Sequence, residues 1–192
     1  MKKKELMRAF YFLIIQICFV SFSFAQSSGQ KLESFGRQII TEIQSSDFDG
    51  LVQYFDIPNT YTAQEAEKRK LVVITNLKNL IQNQIGSFID FSKIDSPPTE
   101  TIMYFPFAID NSKKEAADFT KLFYKVEFAQ FGTGYIVIWI PKDSPQELLI
   151  KMIEIGLPAA NPKAMDIYGE FTKFVLEGAQ ESTSPSLQEQ SR

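Results

Sequence analysis

The chain has 192 residues, 20 of them basic and 23 acidic, for a net charge of −3, with one cysteine and no histidine. With no histidine and a single cysteine, a Ser-His-Asp triad, a Cys-His nucleophile and an ordinary zinc site are all excluded. The acidic balance argues against nucleic acid and anionic membrane surfaces as partners, since both take a basic face.

Lys2, Lys3, Lys4 and Arg8 make a basic start, and from Ala9 to Ala25 the chain is almost wholly apolar. The run closes on Ser23-Phe24-Ala25, a small-x-small pattern read as a signal peptidase site between Ala25 and Gln26. It is shorter than the roughly 20 apolar residues of a spanning helix, and polar Gln26-Ser27-Ser28 follows. Residues 1–25 are therefore expected to be a cleaved secretory signal peptide. That implies an exported bacterial protein, periplasmic or extracellular, with no stable membrane anchor after cleavage. Cys18 leaves with this segment, as do four basic residues and Glu5. What remains is 167 residues, enough for one domain with its own core, carrying 16 basic against 22 acidic residues and a net charge of −6. The expected organisation is a single domain over 26–178 and a disordered polar tail over 179–192.

Leu32, Phe35, Ile39, Ile40 and Ile43 recur at helical spacing and predict a first helix from Ser28 to Gln44. Ser46 or Asp47 can cap a short second helix carrying Leu51, Val52 and Phe55. Thr62-Ala63-Gln64-Glu65 has capping-box spacing and predicts a long helix to about Gln84, closed by Gly86 in a left-handed cap. The charges of Glu65 to Lys70 read as a solvated face of that helix.

After Gly86 the period changes. Phe88 to Ile94 is ambiguous; Thr101 to Ile109 reads as a strand, with Pro106 pointing to an edge or a bulge. From Phe119 to Phe131, Leu122, Tyr124, Val126 and Phe128 alternate with Lys121, Phe123, Lys125 and Glu127, as in a half-buried antiparallel strand. Gly132-Thr133-Gly134 reads as the turn and Tyr135 to Ile140 as a central strand. Leu148 to Ile155, rich in β-branched residues, reads as a further strand ended by Gly156-Leu157-Pro158. Asn161-Pro162 opens a last helix to about Glu177.

Four groups of residues bear on chemistry. Asp47, Asp49 and Asp56 lack the further oxygen ligands of a calcium loop and read as caps and turn. The strand aromatics are either a plain core or an apolar pocket, whose candidate lining is Tyr104, Leu122, Tyr124, Val126, Phe128 and Trp139. Phe123, on the charged side of its strand, belongs to a dimer surface or lies under the last helix. Acid–base work without histidine would draw on Tyr104, Tyr124, Asp110, Glu127 and Glu154, whose spacing pairs none of them. No catalytic residue, metal ligand or cofactor is assigned.

The order of elements is an α+β plan. The Ser46-to-Leu51 step after the first helix, Ile85-Gly86-Ser87-Phe88 after the long helix, the hairpins and the Ile155-to-Pro158 close resemble the nuclear-transport-factor-2-like (cystatin-like, SnoaL-like) superfamily, in particular its small secreted bacterial members. That resemblance covers roughly residues 30–160 and implies N-terminal helices packed on a curved antiparallel sheet, with a conical cavity between sheet and long helix. The C-terminal helix is an addition to that plan. Members are enzymes with acid–base groups in the cavity, ligand binders or dimerising modules. Enzymatic members often pair an Asp with a His or Tyr there, and this chain has no histidine. The expectation is a non-enzymatic exported module that binds a small apolar ligand or a protein partner, or self-associates as a homodimer. The alternative is a histidine-free isomerase or hydrolase using Tyr plus Asp or Glu.

Overall fold

Helix α1 spans 29–44, and its stripe of Phe35, Ile39, Ile40 and Ile43 is buried. The computed structural model describes residues 29–110, 118–142 and 148–183. The expected signal peptide and its Ala25–Gln26 junction, the polar loop after Asp110, the turn after Lys142 and the tail from residue 184 lie outside the described residues. Contacts fall into two units whose boundary lies inside α1, between Ile40 and Thr41.

Asp47, not Ser46, caps the short helix α2 (Phe48–Leu51): its Oδ1 accepts from Gly50 N at 2.9 Å. A 3₁₀ turn over Val52–Tyr54 follows. Helix α3 (Ala63–Lys78) opens on a complete capping box, with Glu65 N donating to Thr62 Oγ1 at 3.2 Å and Thr62 N to Glu65 Oε2 at 2.8 Å. These bonds hold the Glu65 carboxyl below its ordinary range. The helix widens into π geometry over Asn79–Ile85 and stops at Gly86. Gly86 has φ +79° and ψ 159°, so the expected left-handed cap is replaced by an extended turn. The Ile85 carbonyl is instead satisfied from a distance, by Gln130 N at 3.0 Å.

Five strands follow: β1 (Phe88–Ile94), β2 (Ile102–Phe107), β3 (Phe119–Phe128), β4 (Gly132–Pro141) and β5 (Met152–Pro158). They form one curved, wholly antiparallel sheet in the order β1-β3-β4-β5-β2. β2, which carries Pro106, is an edge strand, where a missing ladder donor is tolerated. The β3–β4 hairpin turns on Ala129 to Phe131, and Gly132, expected in the turn, is already the partner of Phe128. β5 begins later than its apolar run. Ile150 makes an isolated parallel bridge with Phe55, and the ladder proper starts at Met152 and runs through Gly156 to Pro158.

Helix α4 (Lys163–Thr183) starts where expected, with Asn161 Oδ1 accepting from Lys163 N at 3.1 Å, and runs beyond Glu177. It packs on the sheet at β2, where Phe171 meets Phe105 and Phe107 edge-on at 5.2 and 5.8 Å. The fold is α+β with an added C-terminal helix.

The period-2 alternation gives the sheet two faces. The inner one carries Phe105, Phe107, Leu122, Tyr124, Val126, Phe128, Ile136, Ile138, Ile153 and Ile155, all buried. The stripe of Val73, Ile74 and Leu77 on α3, continued by Leu80, Ile81 and Ile85 in the π segment, is buried as well, and α3 contacts β2. α4 sits on this inner side, so it does not cover Phe123, which faces the other way.

Candidate functional site

The outer face is built around the central strand β4. Its odd-numbered residues Tyr135, Val137 and Trp139 stand opposite Lys125, Phe123 and Lys121 on β3, and opposite Gly156, Glu154 and Met152 on β5. One strand further, Tyr104 pairs with Gly156 and Pro106 with Glu154. Gly156 is the reason the aromatic rings can close up. A Cβ built there would lie 2.8 Å from Tyr104 Cε1 and 2.7 Å from Ile102 Cγ2, so the Tyr104 ring lies across bare backbone. The result is an aromatic strip across β3, β4, β5 and β2 with carboxylates set into it.

At one end, Trp139 Nε1 donates to Glu154 Oε2 at 2.8 Å. The Lys121 ammonium sits 3.4 Å from the centre of the Trp139 ring, a cation–π contact, and Phe119 packs edge-on against the same indole at 5.7 Å. Among the described residues Lys121 forms no ion pair with Glu154. Glu154 is half-buried, and that burial raises its carboxyl above the ordinary range, against the lowering effect of the Trp139 hydrogen bond and the Lys121 charge. Tyr104, partly buried and near the Glu154 charge, is raised as well. At the other end, Tyr135 hydroxyl donates to Glu100 Oε1 at 2.5 Å, which with burial pushes its phenol up to about 12.

A second polar cluster lies at the far end of β2. Lys151, buried among the described residues, places Nζ 2.6 Å from Asp110 Oδ2, while Tyr61 hydroxyl donates to Asp110 Oδ1 at 3.2 Å. Arg69 lies 4.4 Å over the Tyr61 ring and donates to the Ile109 carbonyl at 3.2 Å. Both Asp110 oxygens are taken. This cluster ties the start of α3 to the end of β2 and the start of β5, and reads as a clamp.

The six residues expected to line one pocket are divided by the register. Leu122, Tyr124, Val126 and Phe128 point inward and are filled core; Tyr104 and Trp139 lie on the opposite face. Of the acid–base pool, only Tyr104 and Glu154 come together. Tyr124 is in the core, Asp110 is in the clamp, and Glu127 accepts from Thr133 Oγ1 at 2.6 Å. Glu100, Lys151 and the Arg69–Tyr61 contact had no signal in the sequence, because each depends on residues at least eight positions apart or in a different element. Arg69 itself looked solvated. Glu67 and Lys70 do form the expected surface pair, at 2.9 Å. Asp47 and Asp49 serve as helix cap and as a 3.8 Å partner of Lys78.

Two of the grooves among the described residues bear on binding. One of about 180 Å³ lies between β2 and α4, lined by Tyr104, Pro106, Tyr168, Phe171 and Leu176, small against the usual range for drug-sized ligands. The other, about 600 Å³, lies between α2 and α3 and is lined largely by polar and charged side chains such as Gln53, Glu67 and Lys68. Among the described residues no helix is long and apolar enough to cross a membrane. The chain matches no protein-family model, no curated protein and no solved structure.

Proposed function

We propose that this protein is an exported, non-enzymatic binding module whose recognition surface is the outer face of the sheet. The observation that carries the reading is the placement of Trp139 and Tyr104 beside Glu154, with Phe123 two strands away on the same outer face, none of them fully buried, while the inner-face side chains are buried. Aromatic rings on a rigid scaffold supply large contact area at low entropic cost, and carboxylates among them set orientation. Export is supported by the basic start, apolar run and small-x-small close of residues 1–25.

We also infer distant kinship with the nuclear-transport-factor-2-like superfamily. The long helix followed by a curved antiparallel sheet supports it. The departure is that the inner face, where that superfamily would hold a cavity, is lined by fully buried aliphatic and aromatic side chains. Binding is therefore assigned to the other face.

The test is native mass spectrometry of the protein purified from its own host, wild type beside Trp139→Phe/Tyr104→Phe. The expected result is a mature chain starting at Gln26 that carries a bound mass or a partner, lost in the double variant. A ligand-free monomer in the wild type contradicts binding, and an intact Met1 start contradicts export. The second reading, acid–base catalysis, is favoured by one pair: Glu154, its carboxyl raised by burial, beside Tyr104. Turnover lost in both Glu154→Gln and Tyr104→Phe would replace the binding reading with that one.

A further inference from the structure

The chemistry around Trp139 narrows what the outer face can take. Among the described residues, the Trp139 indole is the one hydrogen-bond donor to Glu154, and it bonds Oε2. The second oxygen, Oε1, accepts no hydrogen bond there. A half-buried carboxylate with an open oxygen is incompletely compensated, because desolvation weakens its hydration while one neutral donor restores only part of it. Beside it, one face of the only tryptophan in the chain is already occupied by a cation, the Lys121 ammonium at 3.4 Å. Lys121 reaches that place on a flexible side chain from the neighbouring strand, as the direct register partner of Trp139.

Building on the outer-face reading, we propose that Trp139 and Glu154 form a subsite for a cationic group, a primary ammonium or guanidinium of a peptide or small amine, and that Lys121 holds the place of that group until it arrives. The incoming cation lies on the indole face and pairs with Glu154 Oε1, and Lys121 swings into water. The exchange is isoelectric within the subsite. It replaces a cation that only stacks with one that stacks and pairs, and a charge-assisted hydrogen bond is the stronger contact. Phe119, edge-on to the indole, and Tyr104, near Glu154, wall the subsite on two sides.

The test uses the fluorescence of Trp139, which reports on the site without labelling because it is the sole tryptophan. The full mature chain is titrated with Nα-acetyl-lysine amide and with its neutral isostere Nα-acetyl-norleucine amide, in the wild type, Lys121→Met and Glu154→Gln. Thermal melts confirm that each variant is folded. Wild type is expected to bind the lysine amide weakly and the norleucine amide not at all. Lys121→Met, with the competing ammonium gone, is expected to bind the lysine amide about tenfold tighter. Glu154→Gln is expected to lose the response. Equal binding of the neutral isostere, or no gain in Lys121→Met, overturns the cationic assignment while leaving the outer face as an apolar binding surface. Should neither amide perturb Trp139 in any folded variant, the cationic assignment falls; the outer-face reading is then judged separately by whether the host-purified protein retains a bound mass.

Discussion

Two places on the sheet among the described residues bring a lysine and a carboxylate near each other, and they are finished differently. Lys151 and Asp110 are both largely shielded from solvent and in direct contact at 2.6 Å, and Tyr61 takes the other Asp110 oxygen. Lys121 and Glu154, on the outer face, bracket Trp139 without touching: one stacks on the ring and the other takes its N–H. A closed pair with both carboxylate oxygens engaged has little to offer a ligand and much to lose if one partner goes. An open pair set among aromatic rings keeps an unused acceptor and a displaceable cation. The same residue types therefore make a clamp in one place and, in the other, the surface we propose for recognition, and the difference lies in saturation of hydrogen bonds.

The clamp is the place for the largest effect. Lys151→Met strands a buried carboxylate and is expected to cost about 3–5 kcal/mol in urea denaturation, part of it recovered in Lys151→Met/Asp110→Leu. A loss under 1 kcal/mol would place the clamp in the same class as a surface pair. On the outer face, Gly156→Ala drives a methyl into Tyr104 and Ile102 and is expected to cost about 1–3 kcal/mol while displacing the Tyr104 ring, visible as weakened ligand response at Trp139. Thr62→Ala breaks the α3 capping box and is expected to cost about 1 kcal/mol, with no change at Trp139.

The smallest effect is the most discriminating. Burial holds the folded-state Glu154 carboxyl above its ordinary range, with Trp139, Lys121 and Tyr104 the groups facing it. The folded state thus binds that proton more tightly than the unfolded chain. The penalty is absent below the ordinary glutamate range and grows as pH rises through it toward the raised folded value. Glu154→Gln removes the penalty. It is expected to stabilise the fold at neutral pH by roughly a few tenths of a kcal/mol, since partial solvent contact screens the effect, and by nothing at acidic pH. Destabilisation at neutral pH instead would make Glu154 a structural partner like Asp110.

Much of this was legible along the chain and some was not, for physical reasons. The alternation in β3 separated Leu122, Tyr124, Val126 and Phe128 from Lys121, Phe123, Lys125 and Glu127, and burial follows that split. The capping box at Thr62 and the Asn161 start of α4 are local chemistry, and both appear as read. Tyr104 and Trp139 fall into one expected lining with Leu122, Tyr124, Val126 and Phe128 because an aromatic in a strand does not announce its face; only the strand register, with Gly156 opposite both Tyr135 and Tyr104, reveals it. The β5 start slipped because Ile150, apolar and β-branched, bridges to Phe55 rather than joining the ladder, a contact ninety-five residues away in sequence. Lys151, next to it, could not be matched with Asp110 for the same reason.

We propose that ligand binds the outer face at Trp139. With a single tryptophan, the protein gives one indole N–H resonance in a proton–nitrogen correlation spectrum. On addition of the partner or ligand recovered from the host, that resonance is expected to shift together with the backbone amides of Tyr104, Tyr135 and Glu154, while those of Leu122, Ile138 and Ile153 in the core stay in place. An unmoved indole, with shifts gathered at the α2–α3 groove around Gln53 and Lys68 instead, would contradict it.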